Sequence, residues 1–275
     1  MARYLHTAAS GDPSEVPVRD AATVMILRDE PEFEVLMVQR TSKVAFAASA
    51  WVFPGGRVDP EDQVPENAPI VGRTDEEASS ILNVGSGGIA WWIAAVRETI
   101  EEAGLLLLDS ASNPTSEAIY AVRASVHADS GALFPSLANE GLRLDLSRVH
   151  EVARFITPLG PPRRFDTRFF VAAAPKGQSV SPDHGEIVAT KWVSPHEALE
   201  LWENESFPLM SVTHRMLACL RRYSSVDEVI ARAVERAPER RVRVNDPEGA
   251  YHVLLPEDPG YADAELEIEH GWVRL

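Results

Sequence analysis

An α/β (α+β) sandwich, one β-rich core with helices on both sides, is the fold class this sequence predicts. Three observations carry it. Short β-rich runs alternate with amphipathic helical stretches along most of the 275 residues. Hydrophobic residues make up 45% and charged residues 25%, the balance of a globular protein with a sizeable core. No repeat, low-complexity tract or long apolar run interrupts the pattern.

Residues 1 to 17 carry Gly, Ser, Pro and Asp without period and read as a flexible N-terminal arm. Ala21 to Leu27 and Phe33 to Arg40 read as two strands joined by a turn at 29 to 32. Trp51-Val52-Phe53 is a strand that runs into a sharp loop at Pro54-Gly55-Gly56. Residues 63 to 89 are rich in Pro and Gly around one short helix, Asp75 to Leu82, and read as an insertion outside the core. Ile89 to Ala103 is a strong helix, stopped by Gly104. Leu105 to Leu108 reads as a short buried strand, and helical or mixed segments follow at 115 to 128 and 133 to 140.

Strands are expected at 154 to 157, 168 to 174 and 187 to 193, with residues 158 to 165 joining the first two. Ser194 and Pro195 have the chemistry of an N-cap and first helical position for a helix to Trp202. Helices at 210 to 222 and 226 to 236 follow, and the tail turns β-like. The division that results is an arm (1 to 17), a main domain (18 to 222) and a helix plus β-like extension (223 to 275). That extension has three open roles: covering an edge strand, mediating a dimer, or capping a substrate site.

A net charge of −16 argues against a nucleic-acid partner, which requires a basic footprint. It leaves room for a phosphorylated small molecule held by local arginines and cations. Cys219, the one cysteine, sits in an apolar helical stretch and reads as a structural thiol. His184 and His214 have no partner at ligand spacing and read as structural or surface residues. No secretory signal or membrane span is evident, so a cytoplasmic protein without membrane contact is the expectation.

The chemistry concentrates in two segments, Phe53 to Asp62 and Arg97 to Leu105. On a helix, Glu98, Glu101 and Glu102 stand at i, i+3 and i+4 and crowd one face. Ile93, Val96, Ile100 and Ala103 form an apolar stripe opposite them. Three like charges repel, and the helix dipole disfavours anions near the C-terminus. A bound hard cation, Mg²⁺ or Mn²⁺, would account for them.

These segments resemble the Nudix box, G-x5-E-x7-R-E-U-x-E-E-x-G-U, with U a bulky aliphatic residue. Gly56 takes the first glycine, and Arg97, Glu98, Glu101, Glu102, Gly104 and Leu105 match the second half. Asp62 stands where the first glutamate is usual, Thr99 replaces an aliphatic residue, and 34 residues separate Asp62 from Arg97 instead of seven. The split box is similar to the Nudix branch that includes the peroxisomal coenzyme A diphosphatases. So are Gln39-Arg40, the stretch Phe155 to Thr167, and Glu186 with Lys191 to Pro195.

The resemblance implies a Nudix fold, a mixed β-sheet sandwiched between helices. It implies a metal-dependent hydrolase of nucleoside diphosphate derivatives, with coenzyme A or acyl-CoA first in line. ADP-ribose or NADH hydrolysis and a nucleotide-sensing domain are the alternatives, and a homodimer is compatible with all of them. Glu98, Glu102, Glu101 and the carbonyl of Gly56 are the implied metal ligands, with Asp62 or, in its place, Glu61. Glu101 or Glu186 would activate water, and Arg97 would orient the glutamates. Arg163, Arg164, Arg40 and Phe165 are the implied substrate contacts.

Overall fold

The structure, a computed structural model, describes residues 12–43, 47–245, 251–264 and 269–275. The expected arm over residues 1 to 17 lies largely outside them. A nine-stranded mixed sheet forms the centre. Strands β1 (Val18–Arg28) and β2 (Glu34–Arg40) are antiparallel neighbours, and short strands β3 (Trp51–Val52) and β4 (Gly55–Arg57) pair with β2 and β1 in turn. The inserted segment contributes β5 (Ile70–Val71) and α1 (Asp75–Leu82). After it come α2 (Ile89–Ala103), α3 (Ser116–Ala128), α4 (Leu133–Asn139) and β6 (Leu144–Asp145), which pairs with β5.

Strand β7 (His150–Ile156) runs antiparallel to β8 (Arg164–Ala173), and β8 runs parallel to β1 over ten residue pairs. Strand β9 (Ile187–Val193) lies on β2. Helices α5 (Pro195–Glu203), α6 (Ser211–Leu220) and α7 (Val226–Val234) precede β10 (Arg240–Arg241), β11 (Arg243–Asn245), β12 (His252–Leu254) and β13 (Gly271–Val273). β13 covers the free edge of β7, so pairing removes an exposed edge.

Side-chain alternation on the strands makes two cores. Ala22, Val24 and Ile26 of β1 pack with α2 on one face, while Met25 and Leu27 pack with α5, α6 and α7 on the other. The stripe Ile93, Val96, Ile100 and Ala103 is wholly buried, which places the opposite face of α2 at the sheet's end. Thr99 is buried too. Its hydroxyl donates to the Ala95 carbonyl at 2.7 Å, so the aliphatic position accepts it.

Two expectations are corrected. Leu105 to Leu108 is buried but forms only an isolated bridge, Leu108 to Leu144. The Gln178 side chain takes both the N–H and the carbonyl of Leu106 at 2.9 Å each, supplying what a neighbouring strand would. The insertion is also part of the core. Ala78 and Leu82 join the α2 cluster, and the Asp75 carboxylate accepts from Gly87 and Ile89 N–H groups, capping α2 where Gly88 has no side chain.

Among the described residues no helix is long and apolar enough to cross a membrane.

Candidate active site

Helix α2 ends where the chain needs φ = +73° at Gly104, a left-handed conformation that glycine adopts without a Cβ clash. That stop brings Glu98, Glu101 and Glu102 to the rim of the sheet beside β4. The Gly55 N–H donates to Glu102 Oε2 at 3.0 Å. Gly56 lies so close to Glu98 that a Cβ there would run into the carboxylate. The two glycines therefore form a cradle for this pair.

Arg97 organises the cluster, with its side chain only 3% exposed. Nε and Nη2 donate to the two Asp62 oxygens at 2.8 and 3.1 Å. Nη1 donates to Glu98 Oε1 at 2.9 Å and Glu101 Oε2 at 3.1 Å, and Nη2 also reaches the Arg57 carbonyl at 3.0 Å. All five guanidinium N–H groups are thereby used. Burial acts to lower the Arg97 pKa, but Asp62 and the neighbouring glutamates outweigh it and hold the cation firmly charged.

Asp62, expected among the metal ligands, holds Arg97 through both carboxylate oxygens. It is fully buried, and Oδ2 also accepts from the Asp59 N–H at 2.8 Å. Burial raises its pKa, and the hydrogen bonds from Arg97 pull it back. Glu61, the alternative, is exposed on the same turn.

The remaining glutamates are a surplus of negative charge. Burial pushes Glu102 well up from the ordinary carboxylate value, and the charge of Glu98 adds to it. Burial also raises Glu98, against the pull of Arg97. Glu101 is pushed up to about 7, first by burial and then by Glu98.

Glu186 stands on the loop before β9 and paired with Arg40 at 2.6 Å. Its charge is felt at both Glu98 and Glu102. Arg123 of α3, which no sequence signal marked, fixes that loop. It donates to the Glu101 carbonyl at 2.8 Å and to Ser181 Oγ at 2.6 Å, while the Ser181 N–H donates to the Ala103 carbonyl. The C-terminus of α2 is thus capped by a cation and tied to the loop that carries Glu186.

A cavity of 690 Å³ opens from this cluster, within the range of small-molecule sites. Arg40, Arg163, Phe165 and Glu186 line it. Arg164 does not. It begins β8 with its side chain buried, and its Nε donates to the Thr157 carbonyl at 3.1 Å. The strand starts four residues earlier than expected, so alternation sends Arg163 and Arg164 to different surroundings. Asp59 and Asp183 also line the cavity, and neither was singled out from sequence.

His184 is exposed, and the His214 ring lies against Trp202 at 4.2 Å, well apart in role from the carboxylates.

The donor set suits a hard divalent cation. The buried Glu102 and the partly buried Glu98 carry more negative charge than Arg97 neutralises, and a side chain at Gly56 would run into Glu98. Among the described residues no group of three or more His, Cys, Asp or Glu side chains is arranged to hold a metal ion by itself. Two carboxylates and a main-chain carbonyl would leave places for phosphate and water, the ligands that Mg²⁺ keeps.

The description "NUDT19 Nudix domain" belongs to the family model that matches residues 63–211, just over half of the chain. The chain is 28% identical over 306 residues to the acyl-coenzyme A diphosphatase NUDT19 of Gallus gallus, covering 88% of this chain and 81% of that one. Its counterpart in Homo sapiens is 26% identical, covering 86% and 75%. Among solved structures, a NUDIX hydrolase from Alicyclobacillus acidocaldarius superposes with a TM-score of 0.63 at 26% identity, covering 79% of this chain and 97% of that one. With its box split by an insertion yet reassembled around Arg97, the chain belongs to the NUDT19 Nudix family of hydrolases.

Proposed function

We propose that this hydrolase cleaves the diphosphate bond of coenzyme A or an acyl-CoA with the help of Mg²⁺ or Mn²⁺. The observation that carries the reading is the Glu98–Glu102 pair against Gly55-Gly56, at the end of a cavity large enough for a nucleotide derivative. The names of the relatives favour coenzyme A over other diphosphates.

Glu98, Glu102 and the Gly56 carbonyl would hold the cation. When bound, it supplies charge neutralisation for the diphosphate and lowers the pKa of a water. The protein's own groups do the rest. Asp62 fixes Arg97, and Arg97 fixes the Glu98 and Glu101 carboxylates. Glu101, through the oxygen that Arg97 does not hold, accepts the proton of the attacking water, and Glu186 is the second candidate for that task. Arg40 holds Glu186 in place, and the exposed Arg163 guanidinium meets substrate phosphate. Phe165 offers a face to the base or the pantetheine arm.

The test is product release from coenzyme A, an acyl-CoA, NADH and ADP-ribose with Mg²⁺, with Mn²⁺ and with EDTA. Metal-dependent release of 3′,5′-ADP from coenzyme A is the expected result. Cleavage of NADH or ADP-ribose alone would keep the chemistry and replace the substrate. Binding of a nucleotide with no turnover of any compound would replace the enzyme by a sensor.

A further inference from the structure

The floor of the cavity changes character along one row of strands. Residues opposite one another in a sheet point to the same side. Arg57 on β4 is opposite Ala21 on β1, Ala21 is opposite Thr167 on β8, and Thr167 is opposite Phe155 on β7. All four line the cavity. A second row runs from Gly55 through Thr23 to Phe169. Both rows start under the glutamates and end on an aromatic pair, Phe155 and Phe169, packed edge to face at 5.2 Å. The small Ala21, Thr23 and Thr167 keep the middle of the trough open. From β4 to β7 is three strand spacings, about 14 Å at ~4.8 Å each.

The C-terminal extension roofs the aromatic end. Val242, Val244 and Val253 line the same cavity and are only 2%, 8% and 7% exposed. They are held by backbone. The Val242 N–H donates to the Gly271 carbonyl at 2.9 Å, and Arg215 of α6 donates to the Val253 carbonyl at 2.7 Å. Tyr251 ties the extension to the loop that carries Arg163, its hydroxyl donating to the Leu159 carbonyl at 3.1 Å. One cavity thus has an anionic end built by the box and an apolar end built largely by residues outside it.

We propose that Val242, Val244 and Val253, over Phe155 and Phe169, form a specificity-determining pocket for a hydrocarbon group that the substrate carries far from its diphosphate. The inference rests on the proposed diphosphatase reading and deepens it. A thioester with an aliphatic acyl chain is preferred to the free thiol, because its chain lies at the far end of a long arm from the diphosphate, as the apolar end lies across the trough from the glutamates. Burying each methylene removes apolar surface from water.

The experiment is kcat/KM, in Mg²⁺, for free coenzyme A and a straight-chain thioester series from acetyl to dodecanoyl. It is run on the wild type and on Val253→Trp, which fills the pocket, and Val244→Ala, which enlarges it. Thermal unfolding reports whether each variant is folded. The wild type should gain up to about fourfold per buried methylene until the pocket is full. Val253→Trp should cut the ratio of octanoyl thioester to free coenzyme A at least tenfold. Val244→Ala should move the plateau to longer chains, and it carries the test if Val253→Trp does not fold. Cleavage of free coenzyme A with a flat thioester series overturns the pocket and leaves the diphosphatase reading standing. No metal-dependent cleavage of either overturns that reading, and the pocket with it.

Discussion

Glu151 on β7 and Glu102 of α2 are both buried carboxylates, but their surroundings differ in sign. Glu151, with a fully buried side chain, has Arg168 at 3.0 Å, Arg274 at 3.2 Å and Arg236 at 3.9 Å. Cations outnumber it, and they come from β8, the chain end and the region after α7. In the box the ratio is reversed. Among the described residues Arg97 hydrogen-bonds to Asp62, Glu98 and Glu101, while Glu102 accepts a backbone N–H and feels the Arg40 charge through space. A buried charge without a counter-charge is costly. The first cluster is complete within the chain and holds the extension to the sheet. The second is incomplete, and on the proposed function a cation would supply the missing positive charge. Burial alone does not separate a structural from a functional carboxylate here, and the balance of charge around it does.

The contrast can be broken at either cluster. Glu151→Gln leaves three arginines without their counter-charge and should cost about 3–5 kcal/mol of stability, with activity per folded molecule retained. A urea or thermal melt close to wild type would show that the network is not holding the extension. Glu102→Gln should lower hydrolysis roughly a hundredfold or more, and the melting temperature without metal should hold or rise, since a buried like charge is gone. Mg²⁺ should stabilise the wild type against melting and not the variant. Retained turnover, or an unchanged shift with Mg²⁺, would remove Glu102 from the site. The smallest effect is expected at the start of α2. Asp75→Ala removes the cap provided by the insertion and should cost about 1 kcal/mol, with little change in turnover. A larger fall in activity than in stability would place the insertion closer to the chemistry.

Local pattern made the helices legible. The expected span of α2 agrees with the structure at both ends, because the apolar stripe, the three glutamates and Gly104 all lie within one stretch of chain. Strand β9 agrees as well, and Thr115, Ser194 and Ser225 each accept an N–H in the first turn of the helix that follows. The segment of Arg163 and Arg164 shows the limit. Its two arginines differ by one position, and only the start of β8 separates the one that lines the cavity from the one that is buried. That start is set by ten pairs with β1, more than a hundred residues away in the chain.

What the sequence determined by itself is the family and the face on which the acidic residues gather, since i, i+3 and i+4 spacing is a property of one helix. Tertiary structure decided the rest. Asp62 became the clamp for Arg97 across the insertion, Arg123 the cap of α2, and Asp75 the support of its start. The extension took two of its three open roles, covering the β7 edge and walling the cavity. These are contacts between distant segments, chosen by strand register and by the need to partner buried polar groups, and neither leaves a periodic trace in the chain.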